Sequence, residues 1–126
     1  MMLLDTCAVL WLAHDQSKLS TDTLRKIESA PVIYLSAISG FEIGIKYRAG
    51  KLTLPMPPAD WLKGVVEHHN LSILDLDLEI CVKATELPPI HRDPCDRFII
   101  ATALAKGIPV VTVDKRFAQY GVKVLS

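Results

Sequence analysis

The first apolar run, Met2-Leu3-Leu4, stops at Asp5, which predicts a short buried strand with an acid at its carboxyl end. From Thr6 the apolar residues Val9, Leu10, Leu12 and Ala13 suit a short helix. Ser20 opens a second helix, with Leu24 and Ile27 at helical spacing on the way to Glu28. Pro31 breaks the chain ahead of the β-rich run Val32–Leu35. Ser36 or Ser39 caps a third helix, where Ile38, Phe41 and Ile45 recur on one face, and this helix ends near Gly50. Leu54–Pro58 reads as a rigid extended connection, followed by helix over Trp61–Glu67. Ser72–Asp75 is a third strand, and Asp77 caps a helix that Pro88-Pro89 stops after about Leu87. A polar segment, His91–Arg97, leads into the strongly apolar helix Phe98–Ala105, which Gly107 terminates. Pro109–Val113 is a fourth, buried strand ending at Asp114, and Val122–Leu125 is a fifth.

Short hydrophobic strands alternating with helices predict an α/β fold, a parallel sheet of about five strands with helices on both faces. Half of the 126 residues are apolar, enough for one core, so residues 1–126 are expected to form one domain. In such sheets ligands bind beyond the carboxyl ends of the strands, near a switch in strand order.

The N-terminal segment has no basic lead, and Asp5 interrupts the apolar run that a signal peptide needs. No apolar stretch approaches the ~20 residues that span a bilayer. Cys7, Cys81 and Cys95 are odd in number and lack a C-x-x-C spacing, which excludes a disulfide framework and a zinc knuckle. The expectation is a reduced, cytoplasmic compartment with three buried thiols.

Asp5 and Asp114 close the first and fourth strands and therefore belong at the carboxyl edge of the sheet. Glu42 lies about two turns into the helix after the second strand, and Asp96 lies in the first turn of the helix that starts at Pro94. Carboxylates from four segments gathered at one cleft hold protons or hold a cation. Hard oxygen ligands suit Mg²⁺ or Mn²⁺. Each acid also has a local alternative. Asp93-Pro94-Cys95-Asp96 is a complete helix start, Asp5 and Asp114 are placed to cap, and Glu42 is placed to pair with Lys46 on a solvated face.

These segments resemble the PIN-domain ribonucleases, specifically the toxins of VapBC-type toxin–antitoxin pairs. The resemblance rests on Leu4-Asp5-Thr6, Ser36–Ile43, Ala49–Pro55, His91–Arg97, Ala101-Thr-Ala103 and Val111–Asp114, followed by Phe117, Tyr120 and Val122–Leu125. It implies an acidic metal site of Asp5, Glu42, Asp96 and Asp114, with Asp93 as a further candidate. It also implies one or two divalent ions, cleavage of RNA, a homodimer and a cognate antitoxin that covers the cleft. Cys7 and Cys95 depart from residues common in relatives, and neither replaces an acid.

The chemistry fits the acids independently, because phosphodiester hydrolysis needs a deprotonated water and relief of charge on the phosphoryl oxygens. Thr6, Ser39 and Thr112 are candidates for hydrogen bonds that orient the acids. Lys46, Arg92, Arg97 and Lys115 are candidates for substrate phosphates, as are Arg48, Lys51 and Arg116. His91 is a candidate proton shuttle, with a loop hydrogen bond as its alternative, and His68-His69 reads as a helix end. Trp11 and Trp61 read as core.

Two further functional classes compete. A catalytically silent PIN-like module that binds RNA or protein calls for a missing acid, and none is missing. A receiver domain calls for a second acid beside Asp5, and a haloacid-dehalogenase-like phosphatase needs Asp at position 7, where Cys7 stands. Fourteen basic residues balance fourteen acidic ones, which excludes a binder that works by bulk positive charge. Setting aside the four site acids leaves 14 basic residues against ten acidic ones, a remainder of +4 that suits a polyanionic substrate.

Overall fold

In the computed structural model, which describes residues 1–126, five short strands form one all-parallel sheet in the order β3-β2-β1-β4-β5. The strands are β1 (Met2–Leu4), β2 (Ile33–Ser36), β3 (Leu71–Leu74), β4 (Val110–Val111) and β5 (Val124–Leu125). Six helices connect them: α1 (Thr6–His14), α2 (Thr21–Ser29), α3 (Ala37–Arg48), α4 (Pro58–His68), α5 (Leu78–Glu86) and α6 (Pro94–Lys106). The α/β expectation is borne out, with helices on both faces. No helix is long and apolar enough to cross a membrane.

Alternation along β1 assigns the two layers, since successive side chains of a strand point to opposite faces. Met2 and Leu4 join Val9 and Leu12 of α1, Ile27 of α2, and Trp61 and Val65 of α4. Leu3 points the other way and joins Ile99, Ile100 and Ala103 of α6, together with Phe117 and Val122. Ile80 and Ala84 of α5 close on Ala101 of α6. All three residues of β1 are buried, as the central strand of a two-sided sheet requires.

Strand order reverses at β1, whose neighbours are β2 and β4; Leu4 pairs with both Leu35 and Val111. The carboxyl ends of β1 and β4 thus lie side by side at the switch point, and Asp5 and Asp114 follow them.

Three local expectations change. Helix α4 begins at Pro58, not Trp61, because Pro58 takes the first helical position, where a missing N–H costs nothing. Strand β4 ends at Val111, short of Val113, which is half exposed as the chain turns away. Strand β5 is confined to Val124–Leu125 for want of a partner longer than β4. Helix α6 ends at Gly107, whose φ of 66° is the left-handed conformation that favours glycine.

Candidate metal centre

Asp5 both caps a helix and faces the cleft. Its Oδ1 accepts the N–H of Ala8 at 2.7 Å, closing the first turn of α1. The carboxylate is buried, and burial raises its pKa to about 6 against the opposing pull of Thr112 and the Ala8 N–H; Glu42 and Asp114 raise it further. Glu42 lies on the second turn of α3, is 8% exposed, and gives Oε2 to Lys46 Nζ at 2.9 Å. The predicted i,i+4 pair with Lys46 therefore exists, but not on a solvated face. Glu42 Oε1 is buried with no hydrogen-bond partner.

Asp96 occupies the first turn of α6. Burial raises its pKa to about 7, with Asp93, Glu42, Asp5 and Asp114 adding to the rise. Mutual repulsion among these groups means that four segments bring their carboxylates into one electrostatic neighbourhood. Asp114 departs from the pattern. The Arg116 side chain, opposed by burial and helped by the Arg116 N–H and His91, holds it down at about 2. Asp93 spends Oδ1 on the Cys95 N–H at 2.9 Å, as the cap of α6.

His91, 2% exposed, stands between the last two acids. Its Nε2 lies 3.0 Å from Asp96 Oδ2 and 2.9 Å from Asp114 Oδ2, and one ligand atom from each of the three residues lies within 4.8 Å of the others. The loop carrying His91 is tied down by Tyr120, whose hydroxyl accepts the N–H groups of Ile90 and His91 and donates to the Pro88 carbonyl. The loop hydrogen bond expected of His91 is present, from the Asp93 N–H to Nδ1, and the other side of the ring meets two acids that the sequence does not announce. The contact with Asp114 spans 23 residues, and no local spacing announces it. Tyr120 was likewise legible only as a position in a family pattern.

The supporting hydroxyls are buried at this edge. Thr6 and Ser39 share a 2.9 Å hydrogen bond that joins α1 to α3, and Thr112 accepts the Asp114 N–H while its side chain faces Asp5. Arg92 and Lys115 are exposed beside the acids of their own segments, and Lys46 is held by Glu42.

Arg97 corrects an expectation. Its guanidinium does not face the substrate side: Nε donates to the Ala84 carbonyl, Nη1 to those of Pro88 and His91, and Nη2 to that of Leu87. The carbonyls left open where α5 ends attract this cation, so Arg97 fastens the loop to α6. The cysteines correct another. Cys7 is exposed and Cys81 and Cys95 are half-buried, because Cys7 falls on the outer face of α1 while Ala8 and Val9 take the core positions.

The donor set is of hard carboxylate oxygens, one of them buried and unpartnered, and it fits a small divalent cation. An all-parallel sheet with four acids beyond the switch point defines an α/β domain with an acidic site at its carboxyl edge. The PIN-domain family model matches residues 2–123, and the chain belongs to that family.

The chain is 30% identical over 120 residues to Ribonuclease VapC22 of Mycobacterium tuberculosis (strain ATCC 25618 / H37Rv), covering 94% of this chain and 91% of that protein. Its fold matches the VapBC2 structure from Rickettsia felis bound to a promoter DNA fragment (TM-score 0.71, 17% identity, 99% of this chain and 96% of that one). It also matches DNA-bound VapBC from Salmonella typhimurium (TM-score 0.69, 21% identity, 98% and 95%).

Proposed function

We propose that the protein is a metal-dependent endoribonuclease that hydrolyses RNA phosphodiester bonds, acting as the toxin of a toxin–antitoxin pair. The observation that carries this reading is the gathering of Asp5, Glu42, Asp96 and Asp114 at one sheet edge, with Glu42 Oε1 buried and unpartnered. Kinship with a ribonuclease across nearly the whole chain supports RNA as the substrate.

Asp5, Glu42, Asp96 and Asp114 would hold Mg²⁺ or Mn²⁺, as one ion or two, with Asp93 kept for capping. When bound, the ion supplies charge relief at the phosphoryl oxygens and lowers the pKa of a water. The chain itself does the rest. His91 spaces Asp96 from Asp114, Thr112 bridges Asp5 and the Asp114 backbone, and the Thr6–Ser39 bond fixes α1 against α3. Exposed Arg92 and Lys115, with Lys46 on α3, would meet RNA phosphates. The exposed Phe41 and Ile45 beside Glu42 support an antitoxin segment laid across the cleft, and exposed Leu78 and Val82 on α5 support contact with a second copy.

The test is cleavage of single-stranded RNA in Mg²⁺ or Mn²⁺, beside EDTA and Asp96→Asn. Activity should require metal and fall at least ~100-fold in the variant. Equal cleavage by both proteins would sink the role of Asp96. Binding without cleavage would replace the nuclease with a binding module.

A further inference from the structure

The Asp114 carboxylate is saturated. Oδ1 accepts the backbone N–H of Arg116 at 2.9 Å and its Nε at 3.0 Å, and Oδ2 accepts Arg116 Nη2 at 2.8 Å and His91 Nε2 at 2.9 Å. An ionised carboxylate offers about four lone-pair positions, and here four donors take them. Asp114 therefore ligates a cation only if one donor leaves. The backbone N–H belongs to the turn that starts at Asp114, and His91 is buried and shared with Asp96. The Arg116 side chain is 52% exposed and makes no other ion pair or hydrogen bond. It is the donor that leaves at least cost. Once released, its planar fork sits at the rim of the acidic cleft, suited to bidentate contact with a phosphate.

We propose that Arg116 is an exchangeable counter-ion: it closes Asp114 in the metal-free protein, yields the carboxylate when the site is loaded, and then holds a phosphate of the RNA. Metal and RNA consequently bind with positive coupling, each favouring the state in which Arg116 has left Asp114. The inference rests on the reading of Asp114 as a metal ligand and RNA as the substrate. Lys46, tied to Glu42 through one oxygen only, leaves Glu42 Oε1 free, so the exchange is specific to Asp114.

The test uses the full chain as wild type, Arg116→Ala and Arg116→Lys. Mn²⁺ affinity is measured by calorimetry. Affinity for a 2′-O-methyl single-stranded RNA is measured by anisotropy in EDTA and in Mn²⁺, with the oligonucleotide shown intact on a gel. Arg116→Ala should bind Mn²⁺ ~3–10-fold more tightly, because its competitor is gone. Wild type should bind the RNA at least ~5-fold more tightly in Mn²⁺ than in EDTA, and Arg116→Ala should lose most of that gain. Its salt dependence in Mn²⁺ should be shallower by about one phosphate contact. Arg116→Lys, which keeps the charge without the fork, should retain part of the gain.

Normal Mn²⁺ binding by wild type with unchanged or weaker binding by Arg116→Ala would overturn the exchange while leaving the metal site in place. Equal loss of RNA affinity with and without Mn²⁺ would overturn it too. Failure of wild type to bind Mn²⁺ above Asp96→Asn would bring down the metal reading and the exchange together.

Discussion

The backbone N–H of Asp93 donates to Nδ1 of His91 at 3.2 Å. That bond assigns the proton of the neutral imidazole to Nε2, the atom that faces Asp96 and Asp114. The residue that caps α6 thus also sets the tautomer of the histidine that joins two acids. Local helix chemistry and the architecture of the site meet within three residues, His91-Arg92-Asp93.

Removing the imidazole, which donates to Asp114 and lies 3.0 Å from Asp96, should loosen both acids. His91→Ala is expected to weaken Mn²⁺ binding by ~10–100-fold, measured by calorimetry on protein shown by circular dichroism to be folded. His91→Gln, whose amide keeps an N–H donor on a side chain of similar reach, should recover part of the loss. Unchanged affinity in His91→Ala would mean that the acids hold their geometry unaided.

The metal-free protein should lose stability as pH rises from about 4 to 7. Burial holds Asp5 at about 6 and Asp96 at about 7, above their ordinary 3.8, so the folded chain keeps protons that the unfolded chain has released. Their contribution is full below the unfolded value and is lost as pH climbs through the folded ones. Asp114, held at about 2, behaves oppositely, and its contribution disappears only as pH falls below about 4. Thermal melts in EDTA should therefore give Asp5→Asn and Asp96→Asn shallower slopes over this range than wild type. Parallel slopes would show that neither acid is perturbed.

Metal loading should expel the same protons. Mn²⁺ affinity is expected to rise with pH across that window, with proton release on binding. Calorimetry in two buffers of different ionisation heat measures the release directly. A binding heat independent of buffer near pH 6 would contradict it.

Arg97→Ala should cost about 2–4 kcal/mol, because four carbonyls lose a charged donor at once. Arg97→Lys should not rescue it, since one ammonium lacks the fork that reaches both sides of the loop. Denaturant unfolding measures the loss. RNA affinity of the folded variant should be nearly unchanged, whereas a selective loss of RNA binding would restore Arg97 to the substrate side.

Tyr120→Phe should cost about 1–3 kcal/mol by leaving the His91 N–H without its acceptor, while the Ile90 N–H keeps the Pro88 carbonyl. Because the lost bond sets the height of the His91 ring, Mn²⁺ affinity should fall as well. Stability lost with metal affinity intact would separate the loop from the site.

Much was legible in the chain itself. Asp5 and Asp114 follow apolar runs, Asp93-Pro94 starts a helix, and Gly107 ends it, and each signal is local enough for neighbouring residues to decide. The alternation of strands and helices was enough for a parallel sheet, and the end of a parallel strand was enough to place an acid at its edge. What a side chain does after arriving there was decided only by tertiary contact. His91 is an acid-bridging group because β4 brings Asp114 to it from 23 residues away. Arg97 is a loop clasp because α5 ends beside it with open carbonyls, and Arg116 closes a carboxylate that the pattern alone left free. Periodicity reports which face of an element is buried; it carries no information on which donors from other segments reach a given oxygen first.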